Sequence, residues 1–214
     1  MTLPYKTPDA MTHLFLLLAL STALAVHAPR AQTSPLPAGQ HGAAYQTTKG
    51  TFFGASSSTI TGVSDDLTAG LSWSSARDRF RVEAAVPVRS FRSGVGQRDR
   101  HVAEILGAPE HPAVRFTTDW VGAAAFRRAV AGGAARVPGR LHVGGRAVPV
   151  EFVLRRATSG GHAVLDGRLS TTFAALGVEV PSVAGGLVAS AGEAIDLFVR
   201  LRLDQIAGGQ GLLE

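Results

Sequence analysis

Residues 137–154 read VPGRLHVGGRAVPVEFVL, and this stretch decides the fold class. On each side of Gly144-Gly145, apolar residues alternate with polar ones, over 137–143 and again over 148–154. Such alternation predicts β-strands with one apolar and one solvated face. Two of these runs around a glycine pair predict a hairpin, because glycine readily adopts the positive φ angles of a tight hairpin turn. The stretch therefore indicates antiparallel β-structure.

The same alternation recurs on both sides of this hairpin, and Gly160-Gly161 predicts a second hairpin turn. The further runs, of which the first two are less regular, are 45–55, 58–63, 67–73, 80–88, 114–120, 165–169 and 195–203. Short helices are expected near 100–107 and 172–176. About eight antiparallel strands predict an all-β fold that is either a closed barrel or a sandwich. We favour the eight-stranded closed barrel because closure removes exposed strand edges.

Composition limits the classes of function. With 45% apolar residues the chain can bury a full core, and the absence of cysteine excludes disulfides, thiol catalysis and thiolate metal ligands. The formal net charge is +5, but the arginines are spread over the whole chain rather than gathered in a basic tail or on one helix. We therefore expect no nucleic-acid partner.

The N-terminus has the layout of a secretory signal peptide. Lys6 precedes an apolar run at 14–26, which is short for a membrane span, and small residues follow it. Cleavage is expected after Ala25 or Ala28; an uncleaved anchor is the alternative. A periplasmic or secreted location follows. The predicted parts are a signal peptide (1–28), a flexible lead-in (29–43), one β-barrel domain (44–206) and a tail (207–214).

Three segments resemble a known family. They are SFRSGVGQRDRH (90–101) continuing to HPAVRF (111–116), VPGRLHVGGRAVPV (137–150), and STTFAALGV (170–178) followed by Pro181. In order and spacing they resemble the YceI-like, polyisoprenoid-binding family, and the resemblance extends over about 45–204. It implies an elongated, lipocalin-like antiparallel barrel whose apolar channel accepts polyisoprenoid-type lipids. It also implies an exported protein without a catalytic centre.

The cluster Arg98-Asp99-Arg100-His101 has two interpretations. In the structural one, Asp99 is the N-cap of the helix near 100–107 and its neighbours fix the loop. In the functional one, arginines close together on a strand end and turn bind a pyrophosphate group, which guanidinium groups contact bidentately. The candidates for contact with a lipid headgroup are Arg89, Arg92, Arg98, Arg100 and His101.

A metal site and a catalytic site are supported less well by the sequence than a lipid-binding site. His101, Glu104 and His111 could approach one another, but a fourth ligand at a suitable spacing is missing, so we predict no metal and no cofactor. The sequence around Ser56 lacks the second glycine of a nucleophile elbow, and the carboxylates occur singly. We therefore predict that the protein is not an enzyme.

The inward-facing apolar residues either fill the barrel or line a channel, and alternation does not distinguish the two. Candidates for contact with a lipid tail are Leu71, Trp73, Val82, Val86, Phe116, Trp120, Phe152 and Leu197. The leading hypothesis is an exported carrier of a polyisoprenoid or similar amphipathic lipid. The alternative is a filled, ligand-free barrel that serves as an envelope interaction module. A peripheral membrane contact and a homodimer are left open.

Overall fold

The computed structural model describes residues 34–51, 57–183, 189–209 and 211–213. The predicted signal peptide and the first part of the predicted lead-in lie outside the described residues. Among the residues that are described, no helix is long and apolar enough to cross a membrane.

The described chain is mostly β-structure, with three α-helices. The strands are β1 (Gly42–Thr51), β2 (Ser57–Ser64), β3 (Thr68–Trp73), β4 (Arg79–Pro87), β5 (Ala113–Thr117), β6 (Val121–Gly122), β7 (Ala135–Val143), β8 (Arg146–Ser159), β9 (His162–Thr172), β10 (Ser182–Val183) and β11 (Ala189–Arg202). The helices are α1 (Gly96–Ile105), α2 (Ala123–Ala131) and α3 (Phe173–Leu176). The prediction of an antiparallel all-β fold is confirmed, because every strand pair is antiparallel.

The sheet is open, and this corrects the expected closed barrel of eight strands. Eleven strands form one sheet in the order β2-β1-β11-β9-β8-β7-β5-β4-β3, with β10 paired to β11 and β6 paired to β4. The two edge strands, β2 and β3, follow each other in the chain. Strand β2 pairs with β1, and β3 pairs with β4. Among the described strands, no ladder of hydrogen bonds joins β2 to β3.

Two isolated bridges partly cover the free edges of β2 and β3. Val63 of β2 exchanges two backbone hydrogen bonds with Arg92, at 2.9 and 2.8 Å. On β3, the N–H of Leu71 donates to the carbonyl of Ala207 at 2.7 Å, and the N–H of Ala207 donates to the carbonyl of Ala69 at 3.1 Å. Segments outside the regular strands therefore satisfy edge groups that would otherwise be unpaired.

Both predicted hairpin turns are present. The Gly144-Gly145 pair joins β7 to β8 with φ angles of 52° and 74°, and Gly160-Gly161 joins β8 to β9 with 57° and 78°. Two consecutive positive φ values define the type I′ geometry that glycine tolerates, and its twist matches that of the flanking strands.

The helices differ from the predicted ones. Helix α1 begins at Gly96, several residues before the expected start, and α3 agrees with the prediction. The sequence analysis missed α2, whose sequence is AAAFRRAVA. Alanine has the highest helix propensity, and Ala123, Phe126 and Val130 supply a buried face at helical spacing.

The segment before β1 is packed against the sheet, unlike the flexible lead-in expected there. Leu36 is buried in a cluster with Ala44 and Phe198. The guanidinium group of Arg200 donates to the carbonyls of Leu36 and Pro37 at 3.2 and 2.9 Å. Residues 34–43 therefore belong to the folded domain.

The predicted tail is also packed. Leu212 is buried in the main core cluster, and the side chain of Arg127 in α2 donates to the carbonyls of Gly211 and Leu212. The indole N–H of Trp73 donates to the carbonyl of Gly208 at 2.8 Å. Helix α2 and strand β3 thus hold this segment from two sides.

Candidate functional site: an apolar cavity with a cationic opening

The sheet encloses a cavity of about 870 Å³. Side chains from the inward faces of the strands supply most of its wall, together with α1 and Phe126 of α2. The wall is mostly aliphatic and aromatic. Its volume is in the range of about 300–1,000 Å³ that is typical of small-molecule sites.

The interior is hollow rather than filled by its own side chains. In a solid core, inward-facing residues near the middle of the strands would be almost completely buried. Here Leu71, Val82, Phe116 and Leu197 point inward and line the cavity, yet each stays partly accessible. Strand alternation left open whether the inward-facing residues fill the interior or line a channel, and here they line a cavity.

The cavity opens at the α1 end. There, the lining residues Val95, Gln97, Arg100 and Glu104 are exposed, and Val95 retains 45% of its accessible surface. We call this end the mouth. It is bordered by α1, the preceding Val95, Lys49 near the end of β1, and residues 178–181.

The opposite end is closed. There the lining residues Phe126, Leu201, Ile206 and Leu212 are all buried. We call the set Phe126, Ile206 and Leu212 the floor. The same cavity therefore extends from the mouth to this floor.

Six of the eight candidates for tail contact line the cavity: Leu71, Val82, Val86, Phe116, Phe152 and Leu197. Trp73 and Trp120 do not. Trp73 packs on Phe80, with ring centroids 5.6 Å apart, and donates to Gly208 as described above. Trp120 keeps 37% of its surface exposed, and the guanidinium groups of Arg79 and Arg81 lie 5.7 and 4.3 Å from its ring centroid. The expectation that Trp120 points inward is wrong.

Strand parity failed at Trp120 because the predicted strand 114–120 is interrupted. Strand β5 ends at Thr117, and β6 begins only at Val121. Between them, Thr118 bonds to β4, its hydroxyl accepting from the N–H of Val82 at 2.9 Å. The side chain after this irregular turn no longer follows the alternation.

Helix α1 is held at the mouth by packing and by one carboxylate. Val88, Ala103 and Ala108 form a small buried cluster beneath it. The Asp99 carboxylate accepts hydrogen bonds from the N–H of Ser93 at 2.9 Å and from its hydroxyl at 2.5 Å. Asp99 is therefore not the N-cap, a position that Val95 occupies without a side-chain hydrogen bond. It fastens the first turn of α1 to the preceding loop.

Three of the five headgroup candidates, Arg98, Arg100 and His101, line the mouth. Among the residues described by the structure, neither Arg98 nor Arg100 has a hydrogen-bond or ion-pair partner. His101 lies 3.6 Å from the Glu104 carboxylate.

The other two candidates do not line the cavity. One guanidinium nitrogen of Arg92 donates to the carbonyls of Arg89 and Phe91, at 2.6 and 3.0 Å, so this side chain supports its own loop. Arg89 is exposed on a short 3₁₀ turn, Val88–Ser90.

Sequence reasoning missed several polar residues of the cavity, among them Lys49 and Tyr45. The ring of Tyr45 packs on Phe91, with centroids 5.6 Å apart, and lies against Gly62, where a Cβ atom would meet the ring at 2.2 Å. Burial, and secondarily the negative charge of Asp99, raise the pKa of Tyr45 to about 12, whereas Arg98 acts in the opposite direction. The inner part of the mouth is thus poorly solvated.

The weak alternation of β1 hid both residues. Tyr45 and Lys49 are four positions apart, and they lie on the same face of a strand because alternate side chains point to the same side. That spacing in 45–49 was the available signal.

The residues considered for a metal site do not form one. Across the described ranges, no group of three His, Asp or Glu side chains could hold a metal ion. His111 lies with its ring against Gly145, where a Cβ atom would meet Nε2 at 2.5 Å.

Fold and cavity together define a class: small antiparallel β-proteins that enclose an apolar cavity with one open end. The model of the YceI-like domain matches residues 36–203, and the chain belongs to that family. No curated protein matches the chain significantly.

Two solved structures with the same fold are similar over most of their length. BcnA of Burkholderia cenocepacia is 19% identical with a TM-score of 0.52, and the match covers 73% of this chain and 94% of that one. A polyisoprenoid-binding domain from Saccharophagus degradans, implicated in plant cell wall breakdown, is 14% identical with a TM-score of 0.50, covering 76% and 96%. At these identities the likeness concerns the fold.

Proposed function

We propose that the protein is an exported carrier that holds a polyisoprenoid or similar amphipathic lipid. The tail lies in the apolar cavity, and an anionic headgroup lies at the mouth near Lys49, Arg98, Arg100 and His101. The single observation that supports this most strongly is the hollow, one-ended apolar cavity of about 870 Å³.

The cavity suits a long hydrocarbon chain. If each methylene-sized group takes the ~30 Å³ of a water molecule, the volume accommodates roughly thirty such groups. Burying them stabilises the complex by roughly 25 cal/mol for each Å² of apolar surface removed from water. The structural neighbour from Saccharophagus degradans, described as polyisoprenoid-binding, supports the same class of ligand.

The charge at the mouth suits an anionic headgroup. Arg98 and Arg100 of α1 both line the cavity, and Lys49 lines it from β1. Because the two guanidinium groups have no partner in the described part of the chain, they can bind a ligand without breaking a protein contact. Enzyme chemistry has no comparable support at this site.

The test compares a polyprenyl pyrophosphate with the neutral polyprenol of the same length. Replacing Arg98 and Arg100 by Ala should weaken binding of the pyrophosphate at least about tenfold, since a charge-assisted hydrogen bond contributes ~1.5–3 kcal/mol, and should change binding of the alcohol little. The matched control replaces Arg155 and Arg156, which are exposed on β8 and do not line the cavity. Equal losses for both lipids would contradict the headgroup assignment.

Native mass spectrometry of protein purified from its own host tests the carrier itself. A co-purified lipid mass supports it, whereas stable protein that takes up no polyprenyl lipid contradicts it. The alternative, an envelope interaction module, was expected of a filled barrel, and the cavity of about 870 Å³ favours the carrier over it.

A further inference from the structure

The closed end of the cavity is made by a segment outside the regular strands. Ile206 and Leu212 line the cavity and are buried, with 7% and 3% of their surface exposed. Between them in the chain, Ala207 forms an isolated bridge with Gly70 at the free edge of β3. Phe126 of α2 completes the floor.

This segment is fixed by hydrogen bonds from three directions. Ala207 pairs with the edge of β3, Trp73 donates to the carbonyl of Gly208, and Arg127 donates to the carbonyls of Gly211 and Leu212 at 3.0 and 3.2 Å. Gly208 has a φ of 72°, and a Cβ atom there would meet the carbonyl oxygen of Leu71 at 2.5 Å. The close approach to β3 therefore depends on glycine at this position.

We infer that Ile206 and Leu212 set the maximum length of the lipid tail that the protein accommodates. The inference rests on the carrier function proposed above and adds chain-length specificity to it. A fixed mouth and a fixed floor define the depth of the cavity. From Ile195 to Leu201, the inward face of β11 rises ~20 Å at ~3.3 Å per residue.

A tail that is too long must leave carbon atoms outside. Each methylene that stays in water lowers the affinity by about fourfold relative to a buried one. Affinity should therefore increase along a series of polyprenols while each added isoprene unit is buried, and then stop increasing or fall. The length at which this happens is set by the position of the floor.

The experiment measures affinity for polyprenols that differ by one isoprene unit. In the full chain, Ile206→Ala together with Leu212→Ala removes about six carbon atoms from the floor, close to the size of one isoprene unit. The preferred length should increase by about one unit. The control, Leu36→Ala with Val164→Ala, removes five carbon atoms from buried residues that do not line the cavity and should leave the preferred length unchanged.

A second variant acts in the opposite direction and covers the case in which the double variant does not fold. Leu71 lies beside the floor, is half-buried and faces the empty cavity, so Leu71→Phe can grow into the free space. It should shorten the preferred tail by about one isoprene unit.

The outcomes separate the two proposals. If the unchanged protein binds polyprenols without a preferred length, or if neither floor variant moves that length, the inference is overturned while the carrier function stands. If the unchanged protein binds no member of the series, the carrier function fails, and the length limit fails with it.

Discussion

Arg200 on one side, and Arg98 and Arg100 on the other, have opposite environments. The guanidinium group of Arg200 is buried, with 7% of the side chain exposed, and bonds to both oxygens of Asp166 at 2.6 and 3.2 Å and to two backbone carbonyls. Arg98 and Arg100 stand at the mouth of an apolar cavity, and neither bonds to any described residue. Arg200 therefore stabilises the fold, whereas Arg98 and Arg100 are available to a ligand.

The difference shows how environment assigns a role to identical side chains. A buried guanidinium must have its donors satisfied, because an unpaired buried charge is strongly destabilising. A partly solvated guanidinium has no such requirement, since water can satisfy it until a ligand arrives. The contrast between these arginines therefore predicts which substitutions affect folding and which affect binding.

The largest expected effect is on stability, through the partner of Arg200. Asp166→Ala leaves that guanidinium buried with only two carbonyl acceptors, and we expect a loss of about 3 kcal/mol in the free energy of unfolding. Denaturant titration measures it. The control is Glu151→Ala, which removes the partner of the exposed Arg136 and should cost less than about 1 kcal/mol. Similar losses in the two variants would contradict the structural role of Arg200.

An intermediate loss of stability is expected at alkaline pH, because Tyr45 ionises less readily in the folded protein than in the unfolded chain. Its pKa in the folded protein is about 12, above the ordinary value of 10.0 that applies to the unfolded chain. The unfolded chain therefore loses its phenolic proton first, and stability is constant below pH ~10 and decreases from there to pH ~12. Ultraviolet titration follows the ionisation directly, because protein without the predicted leader contains Tyr45 but not Tyr5.

The same titration detects the position of Arg98. Because the positive charge of Arg98 lowers the pKa of Tyr45, Arg98→Ala should raise that pKa further, whereas Arg155→Ala should not change it. An ordinary pKa near 10 in the unchanged protein would show that the inner mouth is open to water, and would weaken the contrast with Arg200.

The smallest expected effect is the stability change of the Arg98→Ala, Arg100→Ala double variant. Surface substitutions without a partner usually change the free energy of unfolding by less than ~0.5 kcal/mol each. Thermal or denaturant unfolding should therefore be almost unaffected, while pyrophosphate binding is weakened. A loss of several kcal/mol would place these arginines with Arg200 as structural residues.

Much of the secondary structure could be predicted because its signal is local. Alternation and paired glycines identified the long strands and both hairpin turns, and these features depend on neighbouring residues alone. Helix α2 was missed because only two large apolar residues, Phe126 and Val130, mark its buried face within nine residues. The start of α1 was misplaced because Asp99 bonds to Ser93 rather than capping the helix.

The site was predicted in part, and the errors fall where strand alternation is interrupted or where a distant segment packs on a strand end. Residues on regular strands, such as Val82, Phe116 and Leu197, reached the cavity as parity predicts. Trp120 did not, because an irregular turn separates it from β5. Trp73 lies on a regular strand, but at its end, where the segment after β11 covers it.

The sequence by itself determined the antiparallel β-class, the hairpins and the apolar character of the inward faces, since a period of two residues places alternate side chains on opposite faces. Only the tertiary structure decided that the interior is hollow, that the sheet stays open between β2 and β3, and which arginines are free. These properties depend on contacts between residues far apart in the chain, such as Arg200 with Leu36 and Trp73 with Gly208, which no local pattern encodes.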